Sequence, residues 1–184
     1  MDVTSPESID NAFKTIKKTE NKIDVLINNA GQVALKDKNA LSCDENSLKD
    51  CFQTNAIGPF LVTKTFLPLL VQSQNPKILN VTSYWGSMSD KNKKISSFLT
   101  SYRVSKAAAN MLSKCLAIDL NKKKISVVSI NPGWVNTEMG RFGGKFHPIL
   151  SPEESAKGII KLVDSVNLSM SGKFLNYDGS ELSY

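Results

Sequence analysis

Apolar positions along the chain fall into two alternating patterns, one of helical period and one of short continuous runs. Ile9, Phe13 and Ile16 recur at helical spacing behind Ser5-Pro6-Glu7, which supplies a capping serine, a first-turn proline and an early acid. They predict an amphipathic helix from residue 5 to about residue 20. Asp24 to Asn28 is a short apolar run of the kind buried on both faces of a sheet. From Asp44 through Leu70 the helical period returns, with Asn55 set inside the apolar pattern. Lys77 to Ser83 predicts a second strand, and Met88 to Phe98 a polar loop rich in Lys and Ser. A helix from Tyr102 to about Leu120 follows, its broad apolar face made of Ala107, Ala108, Met111, Leu112, Cys115 and Leu116. Ile125 to Asn131 predicts a third strand. Glu138 to Leu150 mixes Gly140, Gly143 and Gly144 with Phe142 and Phe146, a composition suited to a mobile lid with apolar contacts. Ser151-Pro152-Glu153-Glu154 is a capping box that opens a helix to about Val166, and Lys173 to Tyr177 predicts a last strand before a short tail. Strands alternating with helices predict one α/β domain over residues 1–184, a parallel sheet covered on both faces.

Composition narrows the class of protein. With 184 residues, 41% hydrophobic and 22% charged, the chain has the makings of a single globular core. The net charge of +6 comes from short runs (Lys14, Lys17, Lys18; Lys91, Lys93, Lys94; Lys122, Lys123, Lys124) flanked by Asn and Ser. No aromatic residues interleave with them, so they predict solvated helix ends and no nucleic-acid partner. Three cysteines, Cys43, Cys51 and Cys115, have no metal-site spacing, and their odd number argues against a disulfide framework. The single histidine, His147, precedes Pro148 in a loop, and no metal site is expected. The polar N-terminus is no signal peptide, and the longest apolar run, Ala56 to Val71, is broken by Pro59, Lys64 and Pro68. No membrane partner is expected, and the protein is placed in a reducing compartment, the cytoplasm.

Tyr102 and Lys106 are four residues apart, so on a helix they lie on one face a turn apart. A phenol ordinarily titrates near pH ~10, and a nearby ammonium stabilises its anion. At ~4 Å and an effective dielectric of ~20 the attraction is about 4 kcal/mol, an upper bound of roughly three pKa units. The spacing alone fits a tyrosine tuned for proton transfer, and it equally fits an exposed Tyr beside a solvated Lys. Asn28-Asn29-Ala30-Gly31 and Ser83 both fall just past the carboxyl ends of predicted strands, where open α/β sheets bind ligands. Each also fits a plain strand-to-loop turn. A buried Asn55 needs hydrogen-bond partners, as a structural bridge or as a catalytic group.

In order, Asn28-Asn29-Ala30-Gly31, Asn55, Ser83, Tyr102-x-x-x-Lys106 and Pro132-Gly133 with Val135 and Thr137 resemble the landmarks of the classical short-chain dehydrogenase/reductases. Pro132-Gly-Trp-Val-Asn-Thr-Glu-Met-Gly and Ser171-Gly-Lys-Phe-Leu-Asn-Tyr-Asp-Gly resemble the branch of carbonyl reductases that includes C-factor and Sniffer. The resemblance covers essentially the whole chain. It implies a Rossmann-like sheet and NADP- or NAD-dependent reduction of a small carbonyl compound. Tyr102 would be the proton donor and Lys106 the group that lowers its pKa and binds the nicotinamide ribose. Ser83 would hold the substrate oxygen, and Asn55 a water leading to solvent. Asn28, Ala30 and Gly31 would border the cofactor, Val135 and Thr137 its carboxamide end and Asp2 its adenine, with Pro132 and Gly133 also binding it. Trp85, Trp134 and Phe142 are expected in the substrate pocket or, equally, in the core.

The sequence departs from the family in one respect. No Gly-x-x-x-Gly-x-Gly turn is present, and the first glycine is Gly31. The resemblance then implies a chain that starts near the end of the family's third strand, with the βαβαβ half of roughly 60 residues outside it. The strand at Asp24 to Asn28 is therefore expected at a sheet edge, without the phosphate-binding helix end. Association through that edge, or a homodimer through the long helices, is expected from this arrangement. A second reading stays open at this point: a catalytically impaired relative acting as a binding or signalling protein.

Overall fold

The computed structural model describes residues 1–89 and 96–184. The lysine run at Lys91, Lys93 and Lys94, and most of the loop predicted between Met88 and Phe98, lie outside the described residues. Five strands form one sheet in the order β1-β2-β3-β4-β5: β1 (Val25–Asn28), β2 (Lys77–Val81), β3 (Ser126–Asn131), β4 (Phe174–Asn176) and β5 (Glu181–Leu182). The first four are parallel, and β5 returns antiparallel to β4. The sequence predicts only a tail after β4. β5 escapes notice because two residues carry no readable alternation, although Asp178-Gly179, with Gly179 at φ +91°, marks the tight turn that reverses the chain.

Five helices cover the sheet: α1 (Pro6–Lys17), α2 (Glu45–Phe52), α3 (Gly58–Leu70), α4 (Thr100–Asn121) and α5 (Pro152–Ser165). Alternation along the strands sorts the core. Leu26, Ile78 and Val127 face one way, packing with Leu70 of α3 and Ala117 and Leu120 of α4. Leu79, Val128 and Ile130 face the other way, against Leu162 of α5 and against Val166 and Leu175. α1 lies on α3 through Ile9, Val62, Phe66 and Leu69. β1 pairs only with β2 among the described strands, and its Ile27 is 43% exposed. The expected caps form: Ser5 accepts from the Ser8 N–H, and Ser151 and Glu154 make the reciprocal capping box of α5.

The predicted helix from Asp44 to Leu70 is two helices. Between α2 and α3 lies a π-helical turn, Gln53–Ile57, and Asn55 sits inside it. One extra residue in the turn rotates Asn55 inward, where it is 2% exposed.

Candidate active site

The carboxyl ends of β1, β2 and β3 converge with the first turns of α4. Ser83 follows β2, and its Oγ accepts from the Trp85 N–H at 3.1 Å, which shapes the short turn Tyr84–Gly86. That turn lies directly on α4. A cavity of about 410 Å³ is lined by Ser83, Tyr102, Asn131, Pro132, Val135 and Thr137, and walled by Tyr84, Trp85, Gly133, Trp134, Met139, Gly140 and Phe142. The three large residues expected at the pocket or the core thus all line this cavity. Trp85 stacks on Phe142 with ring centroids 5.4 Å apart, and its ring meets Tyr102 edge-on at 6.4 Å.

Lys106 is 4% exposed, and its Nζ donates to the Val81 carbonyl at 2.9 Å. An ammonium has three donors, so two have no hydrogen-bond partner among the described residues. Gly31 adjoins it: a Cβ there would make ordinary contact, 3.7 Å from Lys106 Nζ and 3.5 Å from Asn55 Oδ1. Asn55 clamps the neighbouring residue, its Oδ1 accepting from the Gln32 N–H and its Nδ2 donating to the Gln32 carbonyl and to Ser105 Oγ, each at 2.8 Å. The loop after β1 is thereby tied to α4.

The electrostatics differ from the expectation of a lowered Tyr102 pKa. Burial pushes the Tyr102 phenol above its ordinary value, and the Ser83 hydroxyl, hydrogen-bonded to it, offsets this only in part. Lys106 Nζ lies 5.8 Å from the Tyr102 ring centroid and donates to the Val81 carbonyl of β2. Burial instead lowers the Lys106 pKa from 10.5 to about 8. The unfolded chain therefore binds more protons at Lys106 than the folded chain between those values, and stability from this residue rises with pH across that window. Between pH ~8 and ~10 the wild type is expected to gain about 2 kcal/mol of unfolding free energy relative to Lys106→Met. Urea midpoints of both proteins at the two pH values measure this, and parallel profiles would contradict it. The raised Tyr102 phenol works in the opposite sense only above its ordinary range near ~10.

Other predicted residues are placed elsewhere. Asn28 is buried, with its Nδ2 donating to Asn80 Oδ1 at 2.7 Å and Thr63 Oγ1 at 3.2 Å. Asn80 continues the chain by donating to Ser113 Oγ at 2.9 Å. The Asn28 amide nitrogen thus ties β1 to β2 and to α3. Asp2 is exposed, and its carboxylate accepts from the N–H and the hydroxyl of Thr4 at the entry to α1; it does not line the cavity. Ala30 is exposed in the loop beside Gly31. Asn131, Tyr84, Gln32 and Asn80 belong to the site or its support without having been predicted. Asn131 and Asn80 left a signal, a polar residue within an otherwise apolar strand run.

An apolar cavity at the carboxyl edge of a parallel sheet, lined by a Ser and a Tyr with a buried Lys one turn further along the helix, lies where open α/β sheets bind ligands. A match to the short chain dehydrogenase family spans residues 1–145, and the chain belongs to that family. It is 38% identical to the short chain dehydrogenase gsfK of Penicillium aethiopicum over 199 residues, covering 100% of this chain and 77% of that one. It is 36% identical to the C-signal of Myxococcus xanthus over 166 residues, covering 88% and 93%. Among solved structures, an NADPH-bound carbonyl reductase from chicken fatty liver superposes with a TM-score of 0.90 at 30% identity, covering 100% of this chain and 75% of that one. The carbonyl reductase Sniffer of Drosophila melanogaster gives 0.88 at 30% identity, covering 100% and 76%.

Proposed function

We propose that this chain reduces a small, uncharged carbonyl compound, with Tyr102 giving a proton to the carbonyl oxygen. The observation that carries this reading is the shared lining: Ser83 and Tyr102 face one apolar cavity, and Lys106 lies a turn behind Tyr102 with unused donors. The raised Tyr102 pKa keeps the phenol protonated at neutral pH, the form a proton donor needs. Ser83 hydrogen-bonds the substrate oxygen and steadies the charge that develops there. Among the described residues, the lining of the cavity contains no charged side chain, which favours neutral substrates.

Family membership and the chicken liver enzyme support a nicotinamide dinucleotide, NADP(H) or NAD(H), as the cofactor. The residues fit its nicotinamide-ribose half. Lys106 offers donors without a partner among the described residues, beside Gly31. Pro132, Gly133, Val135 and Thr137 supply backbone and side-chain surface along one wall of the cavity. When bound, the cofactor supplies the hydride. Lys106 then holds the ribose, and Tyr102 and Ser83 orient the carbonyl.

Trp85 and Trp134 line the cavity and serve as reporters. Titration of the purified chain with NADPH and with NADH is expected to quench tryptophan fluorescence saturably. Cofactor oxidation in the presence of small apolar aldehydes and ketones is expected to depend on Tyr102. A folded chain that binds neither cofactor would refute the reading.

A further inference from the structure

α4 carries both Tyr102 and Lys106, yet its first turn is capped from outside the helix. The first N–H groups of a helix need acceptors. The residue at the N-cap, Leu99, is fully buried, has a left-handed backbone at φ +57°, and offers no side-chain acceptor. The acceptor comes from the loop after β1. Asp37 Oδ2 accepts from the Ser101 N–H at 3.1 Å and also from the Ser101 hydroxyl. The Asp37 carbonyl accepts from the Leu99 N–H at 3.0 Å. One residue therefore fixes both the strained entry to α4 and its first turn, immediately before Tyr102.

Asp37 is fully buried and makes no ion pair among the described residues, and its Oδ1 has no hydrogen-bond partner there. A buried carboxylate is costly, and the positive end of the helix offsets part of that cost. Ser101 Oγ also lies 3.5 Å from Cys51 Sγ, so the same contact joins α2 to α4. A solvated Asn or Ser in the sequence before the helix would have capped it without burying a carboxyl group. The arrangement holds the start of α4 to the loop that bears Gly31 and Gln32.

We propose that Asp37 is a positioning residue: by capping α4 in trans it sets where Tyr102 stands relative to Ser83. The inference rests on the reading of Tyr102 as proton donor, and its test separates the two. In Asp37→Ala, amide hydrogen exchange at residues 101–104 is expected to speed up about tenfold or more, with β3 unchanged. Tyr102 titration, isolated as the absorbance difference against the matching Tyr102→Phe protein, is expected to move down by about half a unit or more as water reaches the phenol. Turnover is expected to fall about tenfold or more, with KM for the carbonyl compound within about twofold. Asp37→Asn, which keeps the accepting oxygen, is expected to restore all three to within about threefold of wild type.

Unchanged exchange and titration in Asp37→Ala, or an Asn variant as impaired as the Ala variant, would overturn the proposal. Should the Ala variant not fold, Asp37→Glu takes its place: it keeps the acid and moves the oxygens by one methylene. Positioning predicts that it loses turnover and shifts the Tyr102 titration, and wild-type behaviour would overturn the proposal. A wild-type chain without any turnover refutes the reductase reading alone, because exchange and titration still decide whether Asp37 places Tyr102.

Discussion

Tyr102→Phe is expected to lower the turnover of carbonyl reduction by about 10²–10⁴-fold, the usual worth of a positioned general acid. The change removes one oxygen and leaves the ring. The edge-on contact with Trp85 at 6.4 Å should therefore survive, as should the α4 backbone held through Ser101. Cofactor affinity, read by tryptophan quenching, is expected to stay within about threefold, because Lys106 and the Pro132–Thr137 wall are untouched. The split decides between two accounts. Loss of turnover with retained affinity places the proton transfer on the phenol. Retention of more than a tenth of the activity would mean that another group, or water, supplies the proton. Ser83 is the nearest comparison, because its hydroxyl shares the cavity and hydrogen-bonds the phenol.

The elements that position this site were readable because local chemistry and fold agree. Ser5-Pro6 and the Ser151–Glu154 box mark two helix starts where the structure has them. The apolar runs before Asn28, Ser83 and Pro132 become neighbouring parallel strands, so three motifs far apart in sequence meet at one sheet edge. What the sequence hides is three-dimensional. The spacing of Tyr102 and Lys106 predicts a shared helix face but not that the ammonium donates to the Val81 carbonyl or that burial raises the phenol's pKa. The period through Asn55 shows no break, because a π turn adds a residue without a Pro or Gly to announce it. Asp37 looks like any loop acid, and only the fold reveals that it is buried beneath α4.

The second large effect is expected at Gly86, a residue outside the cavity lining. A Cβ on Gly86 would come within 2.5 Å of Lys106 C, 2.7 Å of Ala107 N and 2.8 Å of Lys106 O. These are backbone atoms of a buried helix, so no side chain can swing aside. To reach ordinary contact, the turn Tyr84–Gly86 must move off α4 by roughly 1 Å. Ser83 begins that turn and would move with it, away from Tyr102 on the helix. Gly86→Ala is therefore expected to cost about 1–3 kcal/mol of stability, as overpacking does, and about 10²-fold in turnover, as a displacement of that size can. Met88, two residues on and 71% exposed, provides the comparison: Met88→Ala is expected to stay within about 0.5 kcal/mol and near wild-type activity. Urea midpoints and turnover for both variants test the point. If Gly86→Ala keeps wild-type turnover, Ser83 is held by something other than the close seat of its turn on α4. If stability falls and turnover falls further than the unfolded fraction explains, the contact of Gly86 with the Lys106 backbone, three residues after Ser83, sets the geometry of the site.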